Sequence, residues 1–163
     1  MVQTLQVLSI LLVAIGVSMS LAHALEFPGK RRLDRDTYFK VQPIYYPGFT
    51  VGSLFGEPGA MLAMFVLLLV TPTGSTAFWL TAAALASHLL AHLTYWAVTH
   101  PVNKVWVKGQ DLQGAGKAFF DVGRRTVSAE EWTALRDRWE WSHVARAVLM
   151  AVALSALVIA AVV

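Results

Sequence analysis

Four long apolar runs leave this chain few ways to fold. Leu5 to Leu25, Met61 to Val70 with an apolar approach from Ile44, Thr76 to Val98, and Val144 to Val163 each come close to the ~20 residues that cross a bilayer as a helix. In lipid a helix satisfies its own backbone, so each run is expected to span once. The expected fold is all-α: a polytopic membrane protein, a four-transmembrane-helix bundle in a single domain over residues 1–163. The spans fall at about 5–25, 44–70, 76–98 and 141–163, joined by charged segments 26–43 and 99–140. Hydrophobic residues make up 56% of the chain and charged residues 14%, a balance too apolar for a soluble domain of this length.

Charge orients the bundle. The 13 Lys and Arg and 10 Asp and Glu lie in those two segments or within a few turns of them, so the positive-inside rule makes that face cytoplasmic and puts both termini outside. The expected location is a bacterial inner membrane. A net charge of +3 and a pI near 9.5 would otherwise suggest nucleic acid, but the cations flank spans and follow no nucleic-acid-binding module. The partners expected are therefore the lipid bilayer and a hydrophobic small molecule. The first run resembles a signal peptide in ending on Leu21-Ala22-His23-Ala24. Met1 to Gln6 carries no basic residue, however, and Lys30-Arg31-Arg32 follows the run, an order that predicts a retained helix.

Local patterns refine the layout. Gly48, Gly52, Gly56 and Ala60 recur every four residues, a small-residue stripe against which another helix can pack closely, and a route to a homo-oligomer. Pro58 is expected to kink one long helix that begins near Ile44. Residues 34–42 predict a short interfacial helix capped by Asp34, with Tyr38, Tyr45 and Tyr46 at headgroup level. The glycine-rich stretch 108–123 reads as mobile, and Ser128 to Glu131 is a capping box that opens a helix running into the fourth span. Trp96, Trp106, Trp132, Trp139 and Trp141 read as an aromatic belt.

Chemistry enters with polar residues in or beside the spans. His23 and Glu26 close the first, Glu140 and His143 open the fourth, and each pair is three residues apart on neighbouring helical faces. At ~1.5 Å per residue from the outer ends, all four lie roughly 27–33 Å across, with Glu57 and His92 at roughly 20–22 Å. Such a set suits iron (mono- or dinuclear), manganese, zinc or copper, with His23, Glu26, Glu140, His143, Glu57 and His92 as candidate ligands. The absence of cysteine removes thiolate chemistry and disulfides. His88 and His100 read as packing residues, since polar groups also join helices.

Three stretches carry a resemblance. They are Leu21-Ala22-His23-Ala24-Leu25-Glu26-Phe27-Pro28-Gly29-Lys30, Tyr95-Trp96-Ala97-Val98-Thr99-His100-Pro101-Val102-Asn103-Lys104-Val105-Trp106, and Trp132 to His143 with Leu135, Arg136, Arg138, Trp139, Glu140, Trp141 and Ser142. Together they resemble a small four-span membrane family that includes the anthrone oxygenases. The resemblance implies oxidation of aromatic anthrones to anthraquinones by molecular oxygen without an established cofactor. It also implies functional roles for His23, Glu26, Asn103, Trp139, Glu140 and His143, whereas His88 and His92 stand outside the pattern.

The expected function is that of a membrane oxidoreductase or oxygenase acting on a hydrophobic aromatic or quinone-like substrate. His143 or His23 would act as metal ligand or general base, Glu140 or Glu26 would orient the imidazole, and Arg146 would stabilise oxyanion charge, with Asn103 beside them. The alternative is a membrane subunit or metal-handling protein in which the same residues form a binding site or a structural network. An enzyme should keep a cavity beside the cluster, whereas a structural network should be filled.

Overall fold

The computed structural model describes residues 1–45, 48–106 and 128–163. Those residues form an all-helical bundle with four helices long and apolar enough to cross a membrane. Helix α1 runs Val2–Lys30, α2 Arg35–Val41, α3 Gly48–Val70, α4 Thr76–Thr94, α5 His100–Trp106 and α6 Ala129–Ala160. A 3₁₀ turn, Gln42–Tyr45, follows α2, and a π-turn, Tyr95–Thr99, joins α4 to α5. The glycine-rich stretch expected to be mobile lies outside the described residues.

The helix ends follow local chemistry. Asp34 accepts the Thr37 amide at 2.8 Å and starts α2. Ser75 accepts the Phe78 amide at the head of α4, and Ser128 the Glu131 amide at the head of α6, each satisfying one of the first unpaired N–H groups. The turn before α4 contains Gly74 at φ 84°, a conformation that favours a residue without a Cβ. The 32 residues of α6 extend roughly 48 Å, so it outruns a hydrocarbon core of ~30 Å. As expected, the helix opened by Ser128 continues into the fourth span.

Two boundaries differ from expectation. Helix α3 begins at Gly48, because Ile44 and Tyr45 belong to the 3₁₀ turn. Helix α1 continues past residue 25 to Lys30, carrying Glu26 and Lys30 on its last turn and a half.

The long helices form a ring in which α1 packs against α3 and α6, and α4 packs against α6 and α3. Thus α3 and α6 face each other diagonally, as do α1 and α4. Small residues let the helices approach closely. A Cβ on Gly56 would come within 3.1 Å of Ile15 on α1, and one on Gly52 within 2.7 Å of the Met19 sulfur. The glycine stripe thus packs on α1 of the same chain at Gly52 and Gly56, as a small-residue seam is expected to; Gly48 faces open space.

One end of the bundle is an apolar core of Val13, Ala60, Met64, Leu67, Ala84, Ala153, Ala156 and Leu157. At the other end Tyr38, Val102, Trp132 and Trp139 form a second cluster, with α2 folded beneath the spans. Between them lies a layer of buried polar side chains. Large apolar residues such as Leu11, Leu62, Leu69 and Val148 are exposed, which suits surfaces solvated by lipid.

Candidate functional site

The polar layer surrounds a cavity of about 300 Å³. Helix α1 contributes Met19, Ser20 and His23; α3 contributes Phe49, Thr50, Ser53, Leu54, Glu57 and Pro58; His92, Tyr95, Trp96 and Asn103 come from α4, the π-turn and α5; Trp139, His143 and Arg146 come from α6. Such a concave, mostly apolar space with a few convergent polar groups is the usual form of a small-molecule site.

The imidazoles of His23 and His143 meet across the α1/α6 seam with centroids 4.2 Å apart. Trp139, one turn before His143, packs on both rings at 4.9 and 4.2 Å. Asn103 fixes that indole by accepting its N–H at 2.6 Å. Behind it, Thr99 bonds Ser142 at 2.7 Å and Ser142 donates to the Trp139 carbonyl at 2.6 Å. Since Ser142 has a single hydroxyl proton, Thr99 is the donor in the first bond. Among the described residues both ring nitrogens of His143, Nδ1 of His23 and Nε of Arg146 are buried without a hydrogen-bond partner. Buried polar groups are seldom left so, and a ligand is one way of satisfying them.

Glu57 crosses the bundle. It pairs with Arg146 of α6 at 2.5 Å and with His92 Nδ1 at 2.9 Å. The Trp96 indole N–H donates to His92 Nε2 at 2.9 Å. An indole can only donate, so Nε2 must accept and Nδ1 must carry the proton it gives to Glu57. The chain Trp96, His92, Glu57, Arg146 therefore fixes one imidazole tautomer and neutralises one carboxylate with one guanidinium. Arg146 also lies 5.2 Å from the centroid of the Tyr95 ring. Fully buried His88 reaches the Glu57 backbone carbonyl through Nε2 at 3.3 Å, in keeping with a packing role.

The other carboxylates face away from the imidazoles. Glu140, fully buried, accepts the Tyr38 hydroxyl at 2.7 Å and lies 3.8 Å from Lys30. Glu26 pairs with Lys30 at 3.0 Å and accepts the Tyr45 hydroxyl. Burial and the Glu140 carboxylate hold the Tyr38 hydroxyl far above the usual tyrosine range. Burial and the hydrogen bond to Glu26 do the same for Tyr45. Both tyrosines thus remain donors at neutral pH.

This geometry corrects two expectations and refines a third. Glu140 and Glu26 do not orient the imidazoles, which are set by aromatic packing, because Lys30 and two tyrosines draw the carboxylates toward α2 and the 3₁₀ turn. Tyr38 and Tyr45 face the bundle and not its surroundings, at 1% and 9% exposed. The aromatic belt divides: Trp96 and Trp141 are exposed, whereas Trp132 and Trp139 are buried in the bundle.

The six candidate metal ligands fall into three groups: His23 with His143, Glu26 with Glu140 about Lys30, and Glu57 with His92 about Arg146. Among the described residues no three His, Asp or Glu side chains assemble as a ligand set, and all three carboxylates already have cationic partners. That donor set does not fit the metal centre the spacings suggested, so no step below runs through one.

Lys30, Tyr38, Tyr45, Phe49 and Tyr95 were not among the candidates. Only Lys30 had a signal, its position four residues after Glu26 on one helix. No protein-family model, curated protein or solved structure matches the chain.

Proposed function

We propose that this protein is a membrane oxidoreductase of the oxygenase type, acting on a hydrophobic aromatic or quinone-like molecule in the cavity between its helices. The observation that carries the reading is the cavity itself, lined beside its aromatic walls by His23, His143 and Arg146, each of which carries a buried nitrogen without a hydrogen-bond partner. A purely structural network would bring its polar atoms onto one another, as Glu57 and Arg146 do, and would leave no space next to them. The resemblance to the anthrone oxygenases supplies the reaction class. In this reading the bundle sits in a bacterial inner membrane with both termini outside.

His143 accepts a proton from an acidic C–H or O–H of the substrate. Arg146, one turn further along α6, holds the oxygen on which negative charge develops, in a site shielded from water where such a contact is strong. His23 packs on that imidazole with ring centroids 4.2 Å apart, and Trp139 packs on both rings and fixes their orientation. The electrons go to molecular oxygen: a ring methylene becomes a carbonyl as one O₂ is consumed and one water is released.

The test is oxygen uptake by protein in proteoliposomes with anthrone as substrate, His143→Ala beside wild type. Turnover should fall at least ~100-fold, the usual scale of a lost general base, with helicity unchanged by circular dichroism. Full activity in a folded His143→Ala variant would end the assignment.

A further inference from the structure

The cavity's lining is exposed on one side only. Leu54 is 59% exposed and Trp96 44% exposed, and Pro58 between them is exposed as well, yet all three line the cavity. They belong to α3 and the π-turn after α4. The lining residues from α1, α5 and α6 are buried or half-buried. In the ring of helices the α3/α4 seam lies opposite the α1/α6 seam, where His23, His143 and Arg146 stand. The cavity thus has a donor-rich inner wall and an apolar mouth on the far side.

Each side of that mouth has a break in the α-helical hydrogen-bond pattern. Pro58 has no N–H, so the Leu54 carbonyl loses its usual helical donor. Across the seam Tyr95–Thr99 forms a π-turn, a local widening that often accompanies functional sites. Helix α3 packs less closely on α4 than α1 does on either neighbour. Trp96 stands at the edge of the opening, tied by its indole N–H to His92 and through it to Glu57.

We propose that the α3/α4 seam, between Leu54 and Trp96, is a lateral portal through which an amphipathic ligand enters from the lipid. The ligand class is a planar aromatic head bearing a carbonyl or hydroxyl oxygen, with an apolar remainder. The oxygen leads toward the unpartnered nitrogens of His143 and Arg146, and the apolar remainder stays at the mouth beside Leu54, in contact with acyl chains. This proposal rests on the cavity being a ligand site and adds the route and orientation of entry.

The chain has no cysteine, so a single one can be introduced and modified alone. Leu54→Cys, at the mouth, is compared with Leu62→Cys, which lies 65% exposed on the same helix and does not line the cavity. Each is placed in phosphatidylcholine nanodiscs and modified with N-cyclohexylmaleimide, a reagent bulky enough to fill the seam. The probe is 2-decyl-1,4-naphthoquinone, followed by saturable quenching of tryptophan fluorescence. Before modification the Leu62→Cys variant should behave as wild type, both variants should show wild-type helicity by circular dichroism, and each modified protein is compared with its own unmodified form. Modification at position 54 should slow association at least tenfold, and at position 62 should leave it unchanged. If quenching is saturable but equally fast after modification at either position, the portal is wrong while the ligand site stands. If the unmodified protein shows no saturable quenching by this quinone or by anthrone, the ligand site falls and the portal with it.

Discussion

Replacing Glu57 by Gln tests whether the bundle depends on a buried charge pair. The partners are 4% and 5% exposed, and Arg146 Nη2 lies 2.5 Å from the carboxylate. Removing one partner of such a pair leaves the other charge uncompensated, which costs about 3–5 kcal/mol. The lost His92 bond adds on the order of 1 kcal/mol. Replacing both partners, as in Glu57→Gln with Arg146→Met, removes the stranded charge and should recover at least ~2 kcal/mol of the single-variant loss, since apolar substitutes for buried pairs are often close to neutral. Equilibrium unfolding by dodecyl sulfate in mixed micelles, followed by circular dichroism, measures all three proteins and gives the coupling energy as a double-mutant cycle. A Glu57→Gln loss below ~1 kcal/mol, or strict additivity with Arg146→Met, would refute the reasoning and imply that water or lipid headgroups solvate Arg146.

Other perturbations separate further parts of the structure. Tyr38→Phe removes the hydroxyl that donates to buried Glu140 and should lower stability by about 1.5–3 kcal/mol in the same unfolding assay. Gly56→Ala should be more damaging than Gly52→Ala, although the latter has the shorter contact, because stiff Ile15 cannot yield as the flexible Met19 side chain can. A difference of ~1–3 kcal/mol is expected, and the reverse order would show that α1 moves as a body. The Asp34 carboxyl lies below the usual range because the Thr37 amide and hydroxyl bond to it. Its contribution to α2 is therefore present above the ordinary aspartate pKa and lost as pH falls through the lower folded value. Amide-exchange protection factors over residues 35–41, corrected for the intrinsic pH dependence of exchange, should fall across that acid window in wild type and stay level in Asp34→Asn, which keeps a capping side chain.

How much of this was legible depends on the range of the interaction. The spans follow from hydropathy, and the starts of α2, α4 and α6 from Asp34, Ser75 and Ser128, since these are local properties. The gathering of His23, His143, Glu57 and His92 in one half of the bundle follows from residue counts along straight helices. Their partners do not. Glu140 stands three residues from His143, yet its hydroxyl donor, Tyr38, is 102 positions away and reaches it only because α2 folds beneath the spans. Helical spacing puts carboxylate and imidazole on neighbouring faces without saying which face meets a lysine. The cavity was likewise invisible, since it depends on how closely α3 approaches α4.

The diagonal tie between Glu57 and Arg146 also bears on how the protein is made. Its two halves are 89 residues apart, so at ~5–20 residues per second α3 precedes its partner by roughly 4–18 s of synthesis. During that interval α3 holds an acid within a span that lacks its guanidinium and has at most the His92 imidazole of α4 as partner, and an uncompensated acid at a helix centre costs roughly 2.5–3.5 kcal/mol on insertion scales. The early intermediate is thus one that releases α3 easily, and arrival of α6 locks it. A chain terminated before residue 146 should be extracted and degraded as an orphan, while one carrying Glu57→Leu should persist in the membrane half-built.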